Sequence, residues 1–162
     1  MNFEREIMLT PIGVVRTESV GDEVKDKSRL SEILINCELT QALEGLSEFS
    51  HIFVLFWLHE ISVKERRRLK VHPRGRQDMP LIGVFATRTN LRYNPIGLTV
   101  CELVEVDGNV LTVRGLDAYD GTPVLDVKPL DSWDCPENIR LPDWWKKLEG
   151  ERQQGLLTRK EG

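Results

Sequence analysis

Apolar and polar residues alternate in several short stretches of the chain, which predicts strands rather than long helices. In residues 32–39, Ile33, Ile35, Cys37 and Leu39 would share one face. Six further stretches read as strands, at residues 12–16, 52–58, 81–87, 99–106, 109–116 and 124–128. Residues 52–58 are continuously apolar, as in a strand buried on both faces. The dipeptide at 107–108, Asp-Gly, predicts a hairpin between two of the strands.

Two short helices complete this picture. Thr40 is a candidate N-cap for the first helix, and the apolar spacing at positions 141, 144, 145 and 148 indicates the second. We therefore expect a mainly β, single-domain protein, a closed or nearly closed β-barrel of about six to seven strands with a short helix and a C-terminal helical tail. The barrel would span residues 1–130. Residues 131–162 would form a partly helical extension that is frayed at its end.

Composition limits the classes of function. With 162 residues the chain can bury a core without disulfides or metals. A net charge of −4 argues against binding of nucleic acid by the whole surface. Residues 64–76 nevertheless read KERRRLKVHPRGR, with seven Lys or Arg against one Glu. This run is either a solvated face or a patch that contacts phosphates.

Cysteine and histidine positions predict neither disulfides nor a metal site. The three cysteines form no C-x-x-C pair, and the three histidines do not join them at metal-ligand spacing. We expect the cysteines to be small buried residues of a reduced, cytoplasmic protein. Charged residues at positions 4–6 precede any apolar run, so no signal peptide is expected. The longest apolar run, residues 52–58, is too short to span a bilayer, and no membrane partner is expected.

Polar residues concentrate where the predicted strands end. His59-Glu60 follows residue 58, Asp117 and Asp120 lie near a turn, and Arg88 follows residue 87. Carboxylates, an imidazole and a guanidinium at strand ends are what a small-ligand site needs. Spacing alone also fits a surface strand end and a plain β-turn.

Four sequence blocks occur in a fixed order: PIGVVRT, SHIFVLFWLHE, GVFATRTNLRYNPIGL and GLDAYDGTPVLDVKPL. Over about residues 10–130 the chain thereby resembles the TsaA/TrmO-like family of tRNA methyltransferases. The resemblance implies a β-barrel enzyme, usually a homodimer, that uses S-adenosylmethionine. It also implies methylation of the exocyclic nitrogen of threonylcarbamoyladenosine, next to the anticodon of tRNA.

The resemblance also assigns residues to roles. The cofactor would be held by His59, Glu60, Arg88, Leu98, Tyr119, Asp120, Gly121 and Thr122. Phosphates of the tRNA anticodon stem-loop would be bound by Arg66, Arg67, Arg68, Arg74 and Arg76, and the base by Arg92, Tyr93 and Asn94. A base is needed to take the proton from the weakly nucleophilic nitrogen. His59, Asp117 and Asp120 are the candidates, and water is a fourth acceptor.

Two departures from the family pattern keep other functions open. The Pro-Arg-Gln element that many members use for the cofactor is absent, and the matching region reads SVGDEVKDKSRLSE. Arg92-Tyr93-Asn94-Pro95 stands where bacterial-type members have a proline after the arginine. The alternatives are a methyltransferase of the same fold acting on another RNA or a small molecule, and a non-catalytic module that binds S-adenosylmethionine or RNA.

Overall fold

The computed structural model describes residues 6–153 and contains a closed β-barrel. Within that range the chain forms one α-helix, α1 (Asp143–Gln153), and eight strands. The strands are β1 (Gly13–Arg16), β2 (Leu30–Ile35), β3 (His51–Trp57), β4 (Lys70–Val71), β5 (Ile82–Gly83), β6 (Ile96–Asp107), β7 (Val110–Arg114) and β8 (Pro123–Pro129). All except β4 and β5 belong to the barrel, so the predicted mainly β barrel of six to seven strands is confirmed with six.

The barrel strands are antiparallel and follow the order β1-β2-β7-β6-β3-β8. β8 closes the barrel on β1, where Gly13 pairs with Val124 and Val14 with Pro123. The core inside is aliphatic, and its fully buried side chains include Ile33, Ile52, Val54, Leu111, Val113 and Val124. A closed barrel leaves no long strand edge unpaired, which is why so small a sheet is stable as a unit.

Strand β3 corrects the prediction that residues 52–58 are buried on both faces. Ile52, Val54 and Phe56 are at most 2% exposed, whereas the side chains between them are only half-buried. Strand residues alternate between the two faces of a sheet, and only one face of a barrel points into its core. The outward row of β3 is apolar without being interior.

Strand β2 is shorter than the alternation in residues 32–39 predicts. It ends at Ile35, and Asn36 then turns the chain by donating its backbone N–H to the Ile12 carbonyl at 2.8 Å. A 3-10 helix, Cys37–Leu43, follows, so Cys37 is exposed rather than buried. Thr40 lies inside this helix and not at its N-cap, since its hydroxyl donates to the Cys37 carbonyl at 2.7 Å.

The hairpin between β6 and β7 forms where the sequence predicts it. Gly108 has a φ of 57°, a left-handed conformation that glycine adopts without a steric penalty. Asn109 joins this tip to the end of β2, because its side-chain amide donates to the Ile35 carbonyl at 2.6 Å. Of the other two cysteines, Cys101 on β6 is buried as expected and Cys135 is exposed. Burial raises the pKa of the Cys101 thiol to about 12.

Residues 62–94 and 132–153 form a second compact unit, apart from the barrel unit of residues 6–61 and 95–131. Its interior is small and includes Val71, Met79, Val84 and Leu148 of α1. The helix is also held by an ion pair of Glu151 with Arg76 and one of Lys147 with Asp78 at 3.0 Å. Residues of the predicted C-terminal extension thus pack with the basic segment, while the division at residue 130 stays a prediction.

The second unit corrects the prediction of a strand at residues 81–87. Only Ile82–Gly83 forms a strand, β5, and it pairs with β4 rather than with the barrel. A 3-10 turn, Val84–Ala86, follows at once, and the Thr87 hydroxyl donates to the Val84 carbonyl at 2.8 Å. The arginine-bearing stretch after residue 87 is therefore carried by a turn and not by a barrel strand.

Two expectations fall partly or wholly beyond the described residues. Helix α1 continues past Gly150 to Gln153, and the predicted frayed end at 154–162 lies outside the range that the structure describes. Residues 4 and 5 of the charged N-terminal stretch also lie outside the described range. No helix in residues 6–153 is long and apolar enough to cross a bilayer.

Candidate functional site

The polar pair His59-Glu60 stands just beyond the end of β3. The Leu58 N–H donates to the Pro95 carbonyl at 2.7 Å, which fixes this end of the strand beside the start of β6. The Ile61 N–H then donates back to the Leu58 carbonyl at 3.3 Å, so the chain turns. Both polar side chains are exposed on this turn. A rigid strand thus presents an imidazole and a carboxylate to solvent.

The turn at residues 119–122 is fastened to β1 by backbone hydrogen bonds. The Gly121 N–H donates to the Val15 carbonyl and the Val15 N–H to the Thr122 carbonyl, each at 2.9 Å. The φ of Gly121 is 73°, and a Cβ at this position would meet no atom within 4 Å. The backbone here is therefore open to a ligand from the outside.

Asp120 has a structural partner within this turn. Its carboxylate oxygen Oδ1 accepts the backbone N–H of Thr17 at 3.0 Å, across 103 residues of sequence. The bond ties the chain that leaves β1 to the turn before β8. Tyr119 is 38% exposed beside it, and Asp117 is exposed two residues earlier.

A direct contact joins the two predicted elements. The hydroxyl oxygen Oγ1 of Thr122 lies 3.4 Å from Nδ1 of His59, and Thr122 is 2% exposed. Which atom donates depends on the tautomer of the imidazole. Residues 59 and 122 are far apart in sequence, so the barrel itself brings the strand end and the turn together.

The Asn-Pro-Ile-Gly corner at residues 94–97 leads into β6, where Gly97 and Leu98 pair with β3. Leu98 lies on β6, pairs with Leu55 of β3 and is 46% exposed on the outside of the barrel. Gly97 pairs with Phe56, and a Cβ on it would lie 2.2 Å from Cε2 of the Phe56 ring. The glycine is required because an aromatic ring covers its position.

The other predicted residues belong to the second unit. Arg88 and the residues 92–94 all follow the 3-10 turn after β5. Arg92 is half-buried, and its Nη1 donates to the carbonyls of Val84 at 3.3 Å and Thr87 at 2.8 Å. Its guanidinium carbon also lies 5.7 Å from the ring centre of Phe85, a cation–π distance. Arg92 therefore shapes this loop, while the exposed Tyr93 and Asn94 extend from it.

The five arginines of the basic segment have different surroundings. Arg67, Arg68 and Arg74 are exposed, whereas Arg66 and Arg76 are half-buried. Arg74 has a φ of 55°, the one positive φ outside glycine in residues 6–153. Such strained backbone is often found at functional sites.

Arg76 is engaged within the protein rather than presented to solvent. It pairs with Asp78 at 2.6 Å and with Glu151. Hydrogen bonds from Arg76 lower the pKa of both carboxyl groups, with a further contribution from Lys147, and raise the pKa of the guanidinium itself. Nowhere in residues 6–153 do three or more His, Cys, Asp or Glu side chains gather as a metal site would require.

The sequence of residues 21–135 matches the family described as tRNA-methyltransferase O N-terminal domain. The chain belongs to this family. A probable S-adenosyl-L-methionine-binding protein of Methanothermobacter thermautotrophicus is 47% identical over 131 residues, which cover 78% of this chain and 91% of that protein. A tRNA (adenine(37)-N6)-methyltransferase of Mus musculus is 36% identical over 143 residues, which cover 88% of this chain and 32% of that protein.

The fold agrees with solved members. The crystal structure of TrmO from Pseudomonas aeruginosa matches with a TM-score of 0.67 and 28% identity, over 84% of this chain and 62% of that one. The chain therefore spans somewhat less than two thirds of that crystallised protein. The expected family and enzyme class, an S-adenosylmethionine-dependent tRNA methyltransferase, are confirmed. The names of the relatives agree with S-adenosylmethionine as the cofactor.

Sequence reasoning missed several contacts around these residues. The Asp120 bond to Thr17 and the Arg92 contact with Phe85 leave no mark in the spacing of the residues. The sequence places Trp144 and Trp145 on one face of the C-terminal helix without assigning them a single role, and in the structure both line a cavity with Arg88. The only signal for this cavity in the sequence is the pair of adjacent tryptophans.

Proposed function

We propose that this protein methylates the exocyclic nitrogen of threonylcarbamoyladenosine beside the anticodon of tRNA, with S-adenosylmethionine as methyl donor. The observation that carries the proposal is the contact of His59 with Thr122, which brings the polar end of one family block, SHIFVLFWLHE, against the turn of another, GLDAYDGTPVLDVKPL. The name of the mouse relative supports adenine 37 as the position.

The residues present fit the cofactor chemically. The open backbone at Gly121 allows a ligand to approach closely, and the exposed Glu60 carboxylate suits a ribose diol or an ammonium group. Leu98 offers an apolar wall for an adenine ring. Arg88, assigned to the cofactor by the family resemblance, has a guanidinium suited to a carboxylate in a two-pronged hydrogen bond. When bound, S-adenosylmethionine supplies an electrophilic methyl group on a positively charged sulfur.

Among the candidate bases, the geometry favours His59. Asp120 already accepts the Thr17 N–H, whereas His59 is the candidate whose ring contacts a residue of another family block, Thr122. If Nδ1–H of His59 donates to the Thr122 hydroxyl oxygen, Nε2 keeps its lone pair and can accept the proton of the substrate nitrogen. Thr122 is then a positioning residue that orients the imidazole ring. The remaining contribution to the rate is the alignment of nitrogen and methyl group.

The tRNA would be bound mainly through phosphates by the second unit. Residues 62–94 hold nine Lys or Arg against two Asp or Glu, a net charge of +7 with the histidine neutral. Arg66, Arg67, Arg68 and Arg74 are proposed as phosphate contacts, which give affinity and register. Arg76 instead holds α1 through its ion pairs. Tyr93, 71% exposed, is suited to stack on a base, with Asn94 beside it and Arg92 shaping the loop.

We also propose a homodimer, located in the cytoplasm together with its tRNA substrate. The outside of β6 carries the apolar residues Ile96 and Val100, 36% and 43% exposed, next to the half-buried outward row of β3. An isologous dimer buries one such patch against its own copy. Val100→Glu would give monomers in light scattering, and Val14→Glu, a 38% exposed residue of β1, would leave the dimer intact.

The activity is tested by incubating the protein with labelled S-adenosylmethionine and tRNA, followed by mass spectrometry of the nucleosides. Two tRNA pools are compared, one that contains threonylcarbamoyladenosine and one that lacks it. The proposal predicts a single new nucleoside, one methyl group heavier, from the first pool only. Labelling of both pools would assign another RNA position, and cofactor binding without any transfer would assign a non-catalytic binding module.

A further inference from the structure

A cavity in the second unit is built from aromatic side chains and an arginine. Its volume is about 280 Å³. The turn after β5 contributes one wall, and the start of α1 with the proline before it contributes the other. The residues that matter here are Phe85, Thr87, Arg88, Pro142, Trp144 and Trp145.

The two tryptophans provide both an indole face and an indole edge. Their ring centres lie 5.8 Å apart with an interplanar angle of 78°. Both are half-buried, so their orientation is fixed by packing while part of each ring stays open. Flat aromatic surfaces of this kind bind planar heterocycles by stacking.

Packing of α1 does not require this aromatic cluster. The helix is anchored by the buried Leu148, which is 2% exposed, and by the ion pairs of Lys147 and Glu151. Across the cavity, Phe85 is 78% exposed, far more than an aromatic residue with only a packing role needs. The exposed Phe85 ring is thus available to a ligand that enters the cavity.

Charge and size identify the kind of ligand. Arg88 lines the cavity, and the guanidinium of Arg92 lies over the Phe85 ring. The segment that supplies both arginines has a net charge of +7 in a chain of −4, which favours a polyanion. A volume of about 280 Å³ lies just below the range of roughly 300–1,000 Å³ typical of pockets that enclose a whole drug-sized ligand. It suits a single ring system.

We infer that this cavity binds one unpaired nucleobase of the RNA substrate, stacked on the tryptophan pair, with its phosphates toward the arginines. The inference rests on the proposed function, since it takes an RNA as the substrate. It adds a second base-binding site to the one proposed for the methylated nucleotide. Single-stranded RNA is commonly recognised through such splayed bases, which stack on aromatic and guanidinium planes.

The test measures binding of a tRNA anticodon stem-loop and, in parallel, of S-adenosylhomocysteine to the full chain by calorimetry. Trp144→Ala and Phe85→Ala should each weaken RNA binding on the order of tenfold, since stacking contributes about 1–3 kcal/mol per base. Trp144→Phe should stay within about threefold of wild type because a ring remains. Trp133→Ala is the matched control, since Trp133 is 94% exposed and does not line the cavity. Its RNA affinity should not change.

Each other outcome has a defined meaning. Unchanged RNA affinity in both Phe85→Ala and Trp144→Ala would overturn the inference and leave the cavity as a packing feature. An equal loss of S-adenosylhomocysteine affinity would also overturn it, because the heterocycle bound would then be the adenine of the cofactor. A ten-nucleotide oligoadenylate serves as a second probe. If it binds and is weakened by Trp144→Ala while wild type methylates no tRNA, the proposed function fails and the base site stands.

Discussion

The barrel and the second unit differ in both packing and charge. Residues 6–61 and 95–131 carry seventeen Asp or Glu against six Lys or Arg, a net charge of −11, around a closed aliphatic core. Residues 62–94 and 132–153 carry thirteen Lys or Arg against seven Asp or Glu, a net charge of +6, with +7 in residues 62–94 alone, on two short strands, several 3-10 turns, α1 and little interior. A net charge of −4 for the whole chain conceals this contrast. From this difference we infer that the barrel unit carries the residues for methyl transfer and that the second unit binds the RNA. The following experiments test this assignment of roles.

The largest expected effect comes from the barrel. His59→Ala should lower kcat by about 100-fold or more, the usual contribution of a general base. The Kd for the anticodon stem-loop should stay within about threefold, because the phosphate contacts are proposed for the other unit. Single-turnover kinetics and RNA titration measure the two quantities separately. Thr122→Val should lower kcat by a smaller factor than His59→Ala does and leave the KM for tRNA unchanged, as expected for a positioning residue. A full loss of RNA affinity in His59→Ala would contradict the assignment of RNA binding to the second unit.

The second effect should come from the basic segment alone. Replacing Arg66, Arg67 and Arg68 together with Ala should weaken tRNA binding on the order of tenfold or more. The slope of log K against log salt should become shallower by about two. Titration at several salt concentrations measures the slope, and calorimetry with S-adenosylhomocysteine provides the control. An unaltered slope would identify the segment as a solvated face.

A third comparison uses two glycines of the barrel unit. Gly97→Ala should lower the free energy of unfolding by about 1–3 kcal/mol, since its Cβ would overlap the Phe56 ring at 2.2 Å. Gly121→Ala should cost roughly 1–2 kcal/mol, because space is open and only the left-handed φ of 73° opposes a side chain. Denaturant unfolding measures both. Phe56→Leu should recover part of the lost stability when it is combined with Gly97→Ala. It should recover none when it is combined with Gly121→Ala.

The smallest effect concerns acid and the second unit. The pKa values of Asp78 and Glu151 are lowered from 3.8 and 4.5 by Arg76, so the ion pairs stabilise the folded state above those values. That contribution is lost progressively as pH falls through the lowered pKa values. Tryptophan emission and helical circular dichroism should therefore change as pH falls below 4.5 towards the lowered pKa values, while the barrel stays folded. Arg76→Gln should weaken this pH dependence, with the ion pair of Lys147 and Asp78 remaining, and an identical acid transition in the variant would contradict it.

Local pattern located the barrel strands, although it misplaced the end of β2 and the burial of β3. The Asp-Gly dipeptide at 107–108 identifies the hairpin of β6 and β7 directly, because the turn needs a left-handed residue. The same reasoning failed at residues 81–87. An apolar stretch predicts extended backbone, yet it does not say which sheet the strand joins or how soon a turn such as Val84–Ala86 ends it.

The candidate site could be assembled from the sequence only through the family resemblance. Spacing does not reveal that residue 59 meets residue 122, because closure of the barrel makes that contact. Nor does a carboxylate in an Asp-Gly-Thr-Pro turn reveal that it accepts a backbone N–H from residue 17. The cavity of Arg88 and the two tryptophans depends on packing between segments about fifty residues apart. Single-residue preferences contain no information on such packing.

The seam between β1 and β8 also bears on how the molecule folds. Only two residue pairs join these strands, and they connect positions more than a hundred residues apart. Such contacts involve a high loop-closure entropy, so we expect the seam to form last, after the β6–β7 hairpin and its neighbours. The turn at 119–122 is fastened to this seam through Val15 and Thr17. We therefore expect the turn proposed to bind the cofactor to form in the final step of folding, and a ligand bound there should slow the opening of the barrel at that step.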